Sequence, residues 1–426
     1  MARARPLDPD AFFDALAALP RVRAYLLALS GGADSVALLD LMSRLRERLA
    51  APLAAVHVHH GLHPAADDWA AHCQALCAAL DVPCRIERVQ VERRRGESLE
   101  AAARRARYAV LARHLPAEGG LLTAHHQDDQ AETVLLNLVR GAGNAGLAAM
   151  PPQRPFARGW LLRPLLGFRR QALRDYARAR GLAWVEDPSN ADPAHDRNYL
   201  RHHVLPALTA RWPQVVPALY RVSRNAAASE ALAADLAAAD LGRLAGADGS
   251  LPVAGLLALS APRRHNLLRH WLRLGGRPVT PDHAQLAALE HDLLHSRHDA
   301  RPALVLGART VYRWRDRLYH LPTPPPLPAV RRWRWPLDRP LTIPALGLHL
   351  EPQPLRCAVP GLGAGEVLEV RLREGGERLR PRGAAHHRPL KHWLQDWGVP
   401  PWRRDRLPLV YRDNALLAVW GYALAA

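Results

Sequence analysis

Apolar positions along the first half of the chain fall into an alternation of short runs and helical repeats. Residues 22–29 (VRAYLLAL) form an apolar run that stops at a serine and two glycines, the pattern of a buried strand. Residues 36–49 then repeat apolar side chains at helical spacing. The pattern recurs: 53–59 (LAAVHVH) predicts a strand, 67–80 a helix, and 84–91 (CRIERVQV) a strand. Residues 99–115 predict a long helix, 121–124 a short strand followed by a helix to Arg140, and 182–185 a further strand. Repeated strand–helix units imply a parallel sheet covered by helices on both faces.

The rhythm changes after about residue 211. Residues 225–245, 262–274 and 281–295 read as helices, the first rich in Ala and Leu. LPTPPPLP at 321–328 carries five prolines in eight residues and predicts a stiff, extended linker. Beyond it lie short strand-like pieces, at 366–372 (EVLEVRL) and 407–410.

Composition narrows the class. The 426 residues leave room for two to four domains, and 49% apolar with 23% charged residues is ordinary for a soluble globular chain. The 58 basic residues exceed the 40 acidic ones, a formal charge of +18 that argues for a polyanionic partner such as nucleic acid. Lys391 is the only lysine, so arginine enrichment reflects a general base bias, and only where arginines cluster is informative. No run of about 18 apolar residues predicts a membrane span. Asp8, Asp10 and Asp14 make the start a poor secretory signal. Cys73 and Cys77 share a helical face, and with Cys84 and Cys357 they form no CxxC pair. They read as reduced, mostly buried thiols of a cytosolic protein.

Two segments carry chemistry. Ser30-Gly31-Gly32-Ala33-Asp34-Ser35 joins a strand to a helix. Its glycines permit a tight turn and close backbone approach, and the helix N-terminus offers N–H groups to phosphate. Ser30 and Ser35 can donate to phosphate oxygens, and Asp34 can hold a magnesium ion. No lysine follows, so this is not a Walker A loop, and an ordinary glycine-rich turn is the plainer alternative. The second segment is AHHQDDQAET at 124–133, after the fourth strand. Ligands of parallel sheets sit outside the carboxyl ends of the strands, so both segments would share one crevice. On a helix, His125, Asp129 and Glu132 share one face. The three carboxylates and two imidazoles of this segment are poor for stability unless they serve a metal or a cationic substrate; Asp128 alone is also explained by the helix dipole.

The Ser30–Ser35 hexapeptide after a first strand resembles the PP-loop of ATP pyrophosphatases. Together with 124–133 it resembles the tRNA(Ile)-lysidine synthetase family. Further matches are Ala103-Arg104-Arg105-Ala106-Arg107-Tyr108, Arg163-Pro164-Leu165-Leu166, Asp187-Pro188-Ser189-Asn190 and Arg197-Asn198-Tyr199-Leu200-Arg201. In the tail, 373–378, Leu390-Lys391 and Pro400-Pro401-Trp402 resemble the C-terminal domain of the family's long form. The stretch from about 215 to 325 is the least distinctive.

The resemblance implies a ligase that uses ATP and magnesium. It would join free L-lysine to C2 of the wobble cytidine of an isoleucine tRNA with a CAU anticodon. The route would run through an adenylated cytidine and give lysidine, AMP and pyrophosphate. Ser30, Gly31, Gly32, Ala33, Asp34 and Ser35 would hold ATP, with Asp34 on the metal. Arg104 or Arg107 would clamp the α phosphate. His125, Asp129 and Glu132, helped by Asn190, would bind lysine, one carboxylate accepting a proton. Arg201 would meet the activated nucleotide. Asp34, Arg104, Asp129, Glu132 and Arg201 are therefore the expected catalytic set, in a cytoplasmic protein off membranes, with a homodimer as the candidate assembly.

The expected fold is α/β: a PP-loop domain with a parallel sheet over 1–214, a helical, tRNA-contacting middle domain over 215–325, and a small mixed α/β tRNA-binding domain over 326–426. Another PP-loop tRNA-modifying enzyme, such as an RNA thiolase, is the runner-up, but sulfur carriers need reactive and often paired cysteines. An inactive RNA-binding homologue is the non-enzyme alternative. RNA contact is expected where arginines and aromatics interleave. Residues 301–335 hold eight arginines against one acid, with Tyr312, Trp314, Tyr319, Trp333 and Trp335 between them. Residues 371–413 hold eleven basic against five acidic residues, with Trp393, Trp397 and Trp402. Arg313, Arg315, Arg378 and Lys391 are the expected tRNA contacts, Lys391 hinting at a need for a compact ammonium.

Overall fold

The apolar run at 22–29 becomes strand β1 (Tyr25–Ala28), the middle of a six-stranded sheet. The structure is a computed structural model that describes residues 7–49, 51–188, 192–274, 279, 281–296 and 302–425. It divides into two units, Met1–Ala233 and Ala234–Ala426.

In the first unit β1 is joined by β2 (Leu53–His59), β3 (Cys84–Arg88), β4 (Gly120–Leu122), β5 (Gln153–Phe156) and β6 (Gly159–Leu162). The order across the sheet is β3-β2-β1-β4-β6-β5, parallel except for the β5–β6 hairpin at the edge. Tyr25 pairs in register with Leu53 on one side and Gly120 on the other. Because side chains alternate along a strand, Leu27 enters a core with Phe12, Leu38 and Leu41, and Leu26 enters one with Val56, Leu111 and Leu121. Helices α2 (Ala33–Arg44), α3 (Ala66–Ala79), α4 (Leu99–His114) and α5 (Gln127–Val139) follow the predicted alternation, and an unpredicted helix, α1 (Pro9–Ala17), precedes β1. The order reverses between β1's neighbours, so loops after β1 and β4 open into one crevice.

Two features differ from the expectation. Residues 182–185 form no strand, although Val185 donates its amide to the Gly31 carbonyl at 3.0 Å. The edge hairpin β5–β6 went unpredicted, because its strands are four residues each and only β6 ends in buried Leu161 and Leu162.

In the second unit the expected helices of the middle region come together with a small sheet. Helices Ala261–Arg273 and His283–Ala288 pack on a four-stranded sheet formed by Leu251–Pro252, Arg317–Pro322, Arg309–Trp314 and Ala303–Leu306. Leu318 and Val311 alternate inward from strands whose arginines and aromatics had read as RNA contacts. A five-stranded antiparallel sheet follows, with Arg332–Pro336, Val367–Arg371, Leu409–Arg412, Ala415–Val419 and Ala423–Leu424. Its core holds Trp335, Leu368, Val370 and Val410. Among the described residues no helix is long and apolar enough to cross a membrane.

Asp40 on α2 is 1% exposed and accepts from Tyr176 Oη at 2.5 Å and Arg180 Nε at 3.3 Å. This ties α2, the helix behind the glycine turn, to the helix Arg170–Ala179. Tyr176→Phe leaves part of a buried carboxylate unsatisfied and is expected to lower stability by about 1–3 kcal/mol. Urea unfolding of the two proteins reads this directly, as a lower midpoint at unchanged slope.

Candidate active site

The glycine turn is held from both sides. Ser30 Oγ lies 3.0 Å from Ser35 Oγ, which donates to the Gly32 carbonyl at 3.0 Å and accepts from the Ser30 amide at 3.2 Å. Gly31 has φ +84°, and a Cβ there would stand 2.9 Å from Val185 Cγ2 and 3.1 Å from Cys73 Sγ. Glycine is thus required twice over, by backbone conformation and by space. Gly32 caps α2, whose first turn carries Asp34, so the free amides of a helix N-terminus face the crevice as an anion site.

Asp34 is the link to the second segment. Its Oδ2 lies 3.5 Å from His126 Nε2, while its buried Oδ1 has no partner among the described residues. An orphaned carboxylate oxygen beside a phosphate turn fits magnesium, which takes one or two carboxylates plus phosphate oxygens. His126 is the N-cap of α5: its Nδ1 accepts from the Asp129 amide at 3.3 Å, and Asp129 Oδ2 accepts from the His126 amide at 2.9 Å. Burial opposes a charge on this imidazole, but Asp129, Asp34 and Asp128 outweigh it and raise its pKa above the usual value. Burial would likewise raise Asp129; His126, Arg197 and His125 instead hold it down at about 2.

Glu132 is 1% exposed and fully engaged. Arg201 Nε donates to its Oε1 at 2.7 Å and Arg201 Nη2 to its Oε2 at 3.0 Å, while Arg197 Nε reaches Oε2 at 2.8 Å. Arg201 Nη2 also donates to Asp129 Oδ1 at 3.1 Å. Arg201 stands on a π-helical turn, Leu200–Val204, set in an otherwise α-helical segment. Asp128 is separate, accepting from the Arg169 side chain at 3.2 Å and the Arg170 amide at 2.8 Å.

A second group of cations gathers along the crevice. Arg163, at the end of β6, is 5% exposed; Nη1 donates to the Pro151 carbonyl at 2.6 Å, and Nε has no partner among the described residues. Burial, opposed by Tyr108 but aided by Arg154 and Arg104, lowers its pKa to about 10. Arg104 lies over the Tyr108 ring at 5.0 Å, with Arg107 at 5.9 Å. Among the described residues no carboxylate forms an ion pair with Arg104, Arg107 or Arg163, which suits an anionic ligand.

Residues 11–208 match the PP-loop domain family, 251–319 the TilS substrate binding domain and 368–426 the TilS substrate C-terminal domain. The tRNA(Ile)-lysidine synthase of Alkalilimnicola ehrlichii is 46% identical, over 98% of this chain and 94% of that one. Those of Xanthomonas axonopodis pv. citri, at 45% over 92% and 88%, and Coxiella burnetii, at 39% over 94% and 89%, are similar too. The chain belongs to the tRNA(Ile)-lysidine synthase family. It is accordingly a ligase-type, ATP-using tRNA modification enzyme that forms lysidine, with tRNA as its partner.

Within that family frame, the positions expected from sequence meet different fates. Asp34, Asp129, Glu132 and Arg201 converge, but Asp129 and Glu132 are already paired with guanidinium groups. His125 does not share their helical face: α5 begins at Gln127, and the His125 Nδ1 lies 2.9 Å from Thr123 Oγ1. Burial, with Arg163, Arg197 and Arg104 nearby and Asp129 opposing, pulls its pKa to about 3, so it is a neutral imidazole. Asn190 lies outside the described residues. His126, Arg197 and Arg163 stand in segments that the sequence singled out but were given no role of their own. His126 was visible as a residue just ahead of an acidic first turn, but no spacing rule shows that it would reach Asp34.

Among the expected tRNA contacts, Arg313 is corrected. It is 9% exposed, and its Nη1 caps a helix end by donating to the carbonyls of Leu293, Leu294 and Ser296 at 2.8, 2.9 and 3.0 Å. Tyr312, Trp314 and Tyr319 close on Trp402, with ring centroids 4.9, 6.0 and 5.1 Å from it, and Trp335 is fully buried. Arg315, Arg378 and Lys391 are exposed.

Gly31→Ala forces a left-handed residue against Val185, a strain of about 1–3 kcal/mol. The variant is expected to stay folded while its ATP affinity drops at least tenfold. Circular dichroism and nucleotide titration measure the two separately.

Proposed function

We propose that this chain joins free lysine to C2 of the wobble cytidine of an isoleucine tRNA with a CAU anticodon. The observation that carries the reading is His126: one buried imidazole spans from Asp34, behind the phosphate turn, to Asp129 in the carboxylate–guanidinium cluster. An ATP site and an amine site joined in this way suit a reaction in two halves.

In the first half the cytidine O2 attacks the α phosphorus of ATP, an adenylated cytidine forms and pyrophosphate leaves. The turn amides, Ser30 and Ser35 hold the phosphates, and Arg104 steadies the α phosphate. Asp34 is the residue that would hold magnesium, whose chemistry there is to neutralise charge on the leaving pyrophosphate. In the second half the lysine amino group attacks C2 and AMP leaves, the amine's proton passing to a carboxylate.

The pairing of Glu132 suggests how the halves are ordered. Arg201 and Arg197 occupy the carboxylates that a lysine ammonium would need. The adenylate phosphate gives Arg201 a new anionic partner, so its transfer there would uncover Asp129 and Glu132 for the ammonium. A homodimer and a cytoplasmic location go with the family reading. The sulfur-transfer alternative needs a nucleophilic thiolate, whereas burial, reinforced by Cys84, pushes the Cys73 thiol beside the turn up to about 12.

Incubation with ATP, radiolabelled lysine and total tRNA tests the proposal: label is expected in RNA, with AMP and pyrophosphate released in equal amounts. Asp34→Ala is expected to abolish incorporation while remaining folded, and near-normal activity at saturating magnesium would remove Asp34 from the mechanism. Glu132→Gln keeps the shape of the pocket but leaves Arg197 and Arg201 short of a buried partner, a loss of about 3–5 kcal/mol in stability. Its KM for lysine should rise far more than its KM for ATP, and steady-state kinetics at a temperature where the variant is folded decides this.

A further inference from the structure

The last sheet of the second unit borders a cleft of about 710 Å³, lined by Trp397, Trp420, Tyr422, Leu355, Pro381 and Arg382 among others. That volume is in the range that takes a nucleotide-sized ligand. Its aromatic wall is a ladder. The rings of Trp397 and Tyr422 are near-parallel at 19° with centroids 6.0 Å apart, and Trp393 continues the stack at 22° and 6.0 Å. Trp420 is fixed edge-on against buried Trp335 at 5.4 Å. Tyr422 remains 38% exposed. Trp393 donates its indole N–H to the Leu379 carbonyl at 2.9 Å, whereas those of Trp397 and Trp420 make no hydrogen bond to another described residue.

A cationic hairpin is fastened to the rim. Pro381 bridges to Ala425, and the Arg382 amide donates to the Leu424 carbonyl at 3.1 Å, so the segment after strand Arg378–Leu379 is tied to strand Ala423–Leu424. From 378 to 395 the chain carries Arg378, Arg380, Arg382, Arg388 and Lys391; Arg388 is paired with Asp396 at 3.0 Å, while Arg382 at the rim makes no ion pair with a described carboxylate. Arg382 spends Nη1 on the Ala358 carbonyl at 2.7 Å and keeps further N–H donors.

We propose that this cleft binds an unpaired nucleotide of the tRNA, with its base against the exposed Tyr422 ring and its phosphate at Arg382. The open Tyr422 ring beside Arg382, a cation with no carboxylate partner among the described residues, matches a ligand that has both a π-face and an anion. A base inside a duplex is excluded, because its faces are covered by its neighbours. The inference rests on tRNA being the partner, and gives the C-terminal region a specific grip on single-stranded RNA.

The test uses the full chain and tryptophan fluorescence. A single-stranded hexaribonucleotide should quench it with saturation, and a blunt duplex of the same length should not compete. Tyr422→Ala removes one stacking face and should weaken hexamer binding about tenfold, with Tyr422→Phe close to wild type. The KM for tRNA should rise by a similar factor. Arg382→Gln should flatten the salt slope by about 0.7 for the phosphate it loses. Equal binding of duplex and single strand would overturn the proposal, as would a Tyr422→Ala protein of unaltered melting curve that binds the hexamer like wild type. Lysine incorporation by the wild-type preparation is measured alongside: its absence sinks the proposed function, while its presence with no effect of Tyr422→Ala sinks only this cleft.

Discussion

Two carboxylates one turn apart on α5 set the terms for the whole site. Asp129 and Glu132 are buried, and neither could stay ionised there without compensation. Arg197 and Arg201 provide it from a neighbouring helical segment, and the His126 cap provides the rest. The charge is balanced but not discharged. Each guanidinium is held by several hydrogen bonds whose partners an incoming ammonium and phosphate could exchange. A site built this way already holds the groups that the proposed chemistry needs.

The sheet makes this arrangement possible by topology alone. A parallel sheet puts the ends of β1 and β4 side by side, one feeding the phosphate turn and the other feeding α5. The turn is then clamped by parts of the chain far away in sequence: Val185 from an irregular segment and Cys73 from α3. These contacts leave Gly31 no room for a side chain, and they convert a flexible glycine pair into a fixed cradle.

Arginine in this protein does at least three different jobs. Arg197 and Arg201 neutralise buried acids. Arg313 replaces missing donors at a helix end, and Arg163 stands buried with an unpaired Nε beside the crevice. Arg315, Arg378 and Arg382 stay exposed. Net charge cannot sort these roles, because a guanidinium contributes the same +1 whether it faces a carbonyl, a carboxylate or solvent.

Much of the catalytic unit was legible along the chain. The alternation of strands and helices is a local property: burial on both faces makes a strand uniformly apolar, and burial on one face gives a helix its period. The phosphate turn was equally local, since Ser30 through Ser35 carry their own geometry, and the family motifs lie in one order. The partnerships were not local. Nothing in the spacing of Glu132 and Arg201 shows that 69 residues of separation close to 2.7 Å, or that His125 falls before α5 while His126 caps it. The middle sheet was hidden for a related reason. RTVYRW and RLYHLP are strands whose exposed faces carry arginine and aromatics, so their inward Val311 and Leu318 were outvoted by a pattern that looks like an RNA-binding stretch. Sequence determined which residues could do the chemistry; the tertiary fold decided which charges meet, because a buried charge takes the partner that packing brings to it, however distant along the chain.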